Sequence, residues 1–102
     1  MTRTRHSPAD RSRELLAAAL KLAARTGWRT MTREAVAEAA GVSPGLVSAL
    51  LGTMAALRRS VMRQAVRERC LPVVAEGLVA GDKHARMADE ALRAAAAAWV
   101  LR

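Results

Sequence analysis

The stretch AEAAGVSPGLVSALLG, residues 37–52, constrains this chain more than any other part of it. Its apolar spacing is helical on both sides, yet Gly41 and Val42 alone separate the end of one helix from the cap of the next. A glycine tolerates the left-handed conformation that stops a helix, and Ser43 followed by Pro44 is a strong start signal: the hydroxyl caps the free backbone N–H groups, and proline fits the first helical position. Two short helices joined by so brief a connection must turn sharply, with Val42 filling the angle between them. This is the pattern of a helix-turn-helix; an ordinary αα-corner satisfies the same rules.

The remaining punctuation divides the chain into five helical segments. Ser7-Pro8 opens the first, with Asp10 placed for a variant capping box, and it runs to about Arg25 with Leu16, Ala19, Leu20 and Ala23 on one face, widened by Leu15 and Leu22. Thr32 caps the second, Arg33 to Ala40, whose expected inward residues are Ala35, Val36 and Ala39. The third runs from Pro44 to Leu51. The fourth starts after Thr53 and extends from Met54 to about Ala80, kinked at Pro72, with Met54, Leu57, Val61, Met62 and Ala65 facing the core. Gly81-Asp82 breaks the chain, and a fifth helix covers roughly His84 or Asp89 to Val100. The core alphabet agrees: Trp28 and Trp99 are the only aromatic residues, and Ala, Leu and Val dominate. That composition favours an all-α fold over a sandwich or barrel.

Charge is distributed unevenly. Among 102 residues, 17 Lys and Arg face nine Asp and Glu, a net charge of +8. Residues 1–33 carry seven Arg and Lys21 against Asp10 and Glu14, residues 58–69 five Arg against Glu68, and residues 70–102 four cations against four acids. A basic front with a neutral back suits a nucleic-acid-binding head and a protein-contacting tail; a merely solvated Arg-rich surface gives the same count. Arg59, Arg63 and Arg67 fall on one helical face, either solvated or gripping a phosphate backbone at its first turn.

Several classes of function are excluded. One cysteine, Cys70, closes no disulfide within the chain, and with His6 and His84 far apart it makes no zinc site, so no metal or cofactor is expected. Cys70 is a small buried hydrophobe or a thiol activated by Arg67 and Arg69. The apolar runs are interrupted by Lys21 and Arg25 or are too short to span a bilayer, which points to the cytoplasm and no membrane. No nucleophile triad, paired carboxylates or phosphate loop is present, so an enzyme is not expected. Trp28 is assigned to the core, Trp99 to the core or an interface, and His84 to the surface.

Residues 13–61, RELLAAALKLAARTGWRTMTREAVAEAAGVSPGLVSALLGTMAALRRSV, resemble the N-terminal DNA-binding domain of the tetracycline-repressor-like (TetR) regulators. The resemblance rests on LLAAALKLAARTG, Trp28 after that glycine, the Thr32-capped helix ending AEAAGVS, and the opening Ser43-Pro44-Gly45-Leu46-Val47. Leu51 stands where the family usually has Phe, and Ser48-Ala49-Leu50 where it has aromatic or His residues. The resemblance implies that Thr32 and Arg33 contact backbone or a base edge, that Ser43, Pro44, Gly45, Leu46 and Ser48 face the major groove, and that Thr53 holds a phosphate. Arg3 and Arg5 in a basic arm, residues 1–7, would add minor-groove contacts.

The expected organisation is therefore that arm, a DNA-binding head over residues 8–61, and a short helical dimerisation tail over residues 62–102. Val74, Leu78, Ala94, Ala95, Ala98 and Trp99 are expected at the interface, because a small head cannot cover that apolar surface alone. Double-stranded DNA and a second copy of the chain are the expected partners. The tail is too short for both a dimer interface and an effector pocket, so no small-molecule effector is expected. The function implied is a repressor on a palindromic operator, located at the nucleoid. The competing readings are a small helical module that antagonises another regulator through its Leu46/Leu50 surface, and a non-specific nucleic-acid binder.

Overall fold

A computed structural model describes residues 7–102, which form seven helices and no strand. They are α1 (Pro8–Thr26), α2 (Arg33–Ala40), α3 (Pro44–Leu51), α4 (Met54–Glu68), α5 (Leu71–Ala80), α6 (Lys83–Arg86) and α7 (Glu90–Leu101). The fold is all-α, as the composition and punctuation require. Arg3 and Arg5 lie outside the described residues.

The expected caps are formed. The side chains of Ser7, Thr32, Ser43 and Thr53 each accept a hydrogen bond from the backbone N–H three residues on, at 3.1 Å in every case. Gly41 adopts φ 72°, ψ 33°, the left-handed conformation that lets the chain leave α2 while its N–H still satisfies helix carbonyls. The α2–α3 pair is bent by 102°, within the range of a helix-turn-helix.

The expectation of one long fourth helix kinked at Pro72 is corrected. The chain breaks earlier, at Arg69, whose φ of 56° is left-handed. There the N–H groups of Arg69 and Cys70 close onto the carbonyls of Val66 and Ala65, at 3.2 and 2.8 Å. Pro72 then sits in the first turn of a new helix, α5, where its missing N–H leaves no bond unmade and no kink is needed. The expected fifth helix is likewise two: Asp82 caps the single turn α6 and Asp89 caps α7.

One hydrophobic cluster joins all seven helices, from Leu15 to Ala96. α1 packs against α2, α3, α4 and α5, and the largest helix–helix contact is α5 with α7. Leu57, Met62, Leu92, Val36, Val47, Val61, Val73 and Val74 are fully buried, each stabilising the fold by about 1.5–3 kcal/mol. The boundary expected at residues 61/62 falls inside α4, between two buried side chains. In α2 the inward residues are Val36 and Ala37, and Ala39 is exposed. Small side chains let the helices approach closely: a Cβ on Gly77 of α5 would lie 2.5 Å from Met62 Cε and 2.8 Å from Ala85 Cβ.

The covered surface also corrects part of the expected dimer face. Val74 is fully buried in the single chain, as are Val73 of the same helix and Ala96 of α7, where α5 and α7 pack together in the core. Val74 is therefore unavailable to a second copy. Trp99 is half-buried against the core, with the Arg102 guanidinium 3.9 Å from its ring centroid. Ala94, Ala95 and Ala98 are exposed, and Leu78 is half-buried.

Candidate nucleic-acid interface

Three consecutive helices present exposed, hydroxyl-capped N-termini: α2 at Thr32, α3 at Ser43 and α4 at Thr53. Each hydroxyl oxygen is already an acceptor for its own helix, which leaves the O–H free to donate. A helix N-terminus carries unsatisfied N–H groups and the positive end of the helix dipole, so each cap offers an anion two kinds of attraction at once. None of these three helices has a basic residue in its own cap position; Arg33, half-buried, occupies the first position of α2. Its Nε is buried and has no hydrogen-bond partner among the described residues.

The sequence alone does not settle which side of α3 is available. Val47 is fully buried and anchors the helix; Leu50 and Leu51 are half-buried against the core. Ser43, Pro44, Gly45 and Ala49 are exposed, and Ser48 is half-buried. Leu46 and Leu50 line a groove of about 320 Å³ with Leu15, Ala18, Ala40 and Val42, and Arg11 and Glu14 of α1 also line it. Leu50 therefore contributes more to packing than to an exposed binding surface, and Leu46 is shared between the groove and solvent. The accessible polar atoms of α3 are hydroxyls, and no side chain on it is charged.

Two arrangements escaped the sequence reading. The Glu76 carboxylate, on α5, accepts the backbone N–H groups of Trp28 and Arg29 at 2.7 and 2.8 Å. The indole N–H of buried Trp28 donates to the Arg58 carbonyl on α4 at 2.9 Å. The loop that leads into Thr32 and Arg33 is thus pinned from both α4 and α5. The one available signal was a single acid in the apolar run LPVVAEGLVA. His84, assigned to the surface, is half-buried with its Nε2 buried and unpartnered among the described residues.

Elsewhere the charged groups serve the fold. Arg69 donates to Asp89 at 2.9 Å, and this bond, with the Leu92 N–H at 2.7 Å, holds the Asp89 carboxyl below the usual carboxylate range. Cys70 is free and half-buried, packed on the core. Arg59, Arg63 and Arg67 form an exposed stripe on α4.

With this geometry in view, comparison with known families is decisive for one segment: residues 15–61 match the model of bacterial regulatory proteins, tetR family. The match supports a TetR-like helix-turn-helix DNA-binding domain over these residues. The matched family is one of bacterial regulatory proteins, and the match spans α2 and α3 whole. The match ends inside α4, so α5, α6 and α7 lie beyond it. No curated protein and no solved structure matches the chain. Among the described residues no group of His, Cys, Asp and Glu is placed to hold a metal, and no single helix is long and apolar enough to cross a membrane.

Proposed function

We propose that this protein is a transcriptional repressor that binds a palindromic operator as a homodimer and acts at the nucleoid, by occupying the site rather than by catalysis. The observation that carries the reading is the run of three exposed, hydroxyl-capped helix starts around a 102° helix-turn-helix bend. Thr32 and Thr53 donate to backbone phosphates, and Arg33 adds charge. α3 enters the major groove with Ser43, Pro44, Gly45, Leu46 and Ser48 leading, and Gly45 lets the two backbones come close. With hydroxyls and an Ala49 methyl as its base-reading groups, α3 makes few direct contacts, so much of the selectivity comes from DNA shape.

The dimer reading moves to the outer side of α7. Ala91, Ala94, Ala98 and Leu101 are exposed at helical spacing, with Ala95 beside them and Leu101 84% exposed. Small side chains allow two copies of α7 to pack closely about a two-fold axis, which sets two recognition helices on successive major grooves about 34–36 Å apart. Control is exerted by protein concentration or by a partner protein.

Selection from random duplexes followed by titration at two salt concentrations tests this. A selected palindrome bound at least about 10³-fold more tightly than random DNA is the expected result. Absence of enrichment sinks the repressor reading. The uncharged surface of α3 favours the second reading, a protein-interaction module, in that event.

A further inference from the structure

Residues 70–102 carry four acids and four cations, but three of the acids are turned to bonds within the fold, and the fourth, Glu90, is exposed at the start of α7 outside the groove lining. Glu76 is turned to the Trp28–Arg29 backbone. Asp82 caps α6 by accepting the N–H groups of His84 and Ala85, at 3.0 and 3.1 Å. Asp89 caps α7 and pairs with Arg69. Lys83, Arg86 and Arg93 have no acidic partner among the described residues, where the ion pairs are Arg13–Asp10 and Arg69–Asp89. These three cations, with Leu78 and Met87, line one open groove of about 510 Å³ formed by the last turn of α5, α6 and the first turn of α7. Met87 is 80% exposed at its rim.

We infer that this groove is a docking site for a short acidic segment of a partner protein, one that carries a bulky apolar side chain among its carboxylates. Charge complementarity selects the occupant: two guanidinium groups and an ammonium, with no carboxylate in the lining, match Asp and Glu side chains and repel a second copy of the same surface. Met87 and Leu78 supply what a phosphate backbone does not use, a flexible apolar contact that accepts Leu, Ile or Phe. The cavity is large enough for such a side chain and its flanking acids. None of its lining residues belongs to α2, α3 or the α4 cap, and Arg93 and Ala98 point to different sides of α7, so DNA, a second copy and the acidic segment occupy separate surfaces.

The test is fluorescence anisotropy with the full chain and a labelled dodecapeptide of Asp and Glu around a central Leu-Leu pair. The Leu-Leu peptide should bind, and a Ser-Ser version should bind about fivefold or more weakly, reflecting the lost apolar burial. Arg86→Glu and Arg93→Glu should each weaken the Leu-Leu peptide about tenfold, and Met87→Ser about threefold, with unchanged circular dichroism. Arg63→Glu, on the exposed outer face of α4, should change it less than about twofold. Equal losses from Arg63→Glu, or equal binding of the two peptides, would show diffuse attraction and overturn the inference. So would non-specific duplex DNA or phosphatidylserine vesicles that displace the peptide and lose affinity equally on Arg86→Glu. Arg33→Ala separates this inference from the repressor reading, because peptide binding should survive it whether or not an operator is found.

Discussion

Glu76 is the residue whose removal most directly tests how the tail of this protein holds its head. Its carboxylate takes two backbone N–H groups that lie 48 and 47 residues away in sequence, and it is the acceptor for both. A hydrogen bond to a charged group contributes about 1.5–3 kcal/mol net. The Arg29 bond is exposed and the Trp28 bond part-buried, so the lower end applies to the first, and the loss on Glu76→Ala comes to about 3–4.5 kcal/mol. Glu76→Gln retains one carbonyl acceptor and turns a donor toward the second N–H, which predicts at least half of that loss. Urea unfolding followed by tryptophan fluorescence measures it. With a slope of about 1–1.5 kcal/mol/M for a domain of this size, Glu76→Ala should lower the midpoint by about 2–4.5 M. Because the same loop leads into Thr32 and Arg33, DNA affinity of folded Glu76→Gln protein should fall as well. A midpoint for Glu76→Ala within about 0.3 M of the unmodified protein would refute the assignment of these two bonds as a clamp.

Four further outcomes are expected. Gly77→Ala should destabilise by about 1–3 kcal/mol in the same assay, since its Cβ would meet Met62 and Ala85 inside the core; an unchanged midpoint would mean that α5 shifts freely. Arg33→Ala should weaken DNA binding and reduce the slope of log affinity against log salt by about one, as measured by titration at several ionic strengths. Ala98→Arg should convert a dimer to a monomer in sedimentation without unfolding it, whereas Ala96→Arg, at a fully buried position, should unfold the chain; a monomer for the unmodified protein at tens of micromolar would exclude the α7 interface. Arg69 holds the Asp89 pKa below its unfolded value, so the pair's contribution is present at neutral pH and is lost as pH falls through the lowered value. Both side chains are exposed, so the difference between unmodified protein and Arg69→Ala should be small and should vanish on acidification.

Most of the head was legible because its information is local. A cap needs one hydroxyl at one position, and Ser7, Thr32, Ser43 and Thr53 carry that signal without help from the rest of the chain. The helix break at Arg69 was not, because the residue type there does not announce it. An arginine has no intrinsic preference for the left-handed conformation. Here it is held by the closing bonds to Ala65 and Val66 and by a carboxylate 20 residues further on. Pro72, the visible breaker, marks the start of the next helix rather than the site of the break.

The site was legible in part for the same reason. Spacing identified α3 and the three caps, but which side of a short apolar helix faces solvent depends on what packs against it, and that is how Leu50 came to be expected on the surface. Charge shows the limit most clearly. A sequence count returns zero for residues 70–102, and a tail of zero charge reads as indifferent. A carboxylate that caps a helix or clasps a loop is spent within the fold, whereas a cation at a helix surface remains available to a partner. Once Glu76, Asp82 and Asp89 are assigned to intramolecular bonds, only Glu90 is left to set against Lys83, Arg86 and Arg93, and the balance of what faces outward is positive. For a small helical protein, then, the partner's charge is read from the cations that the fold leaves unanswered, and the net charge of the segment does not report it.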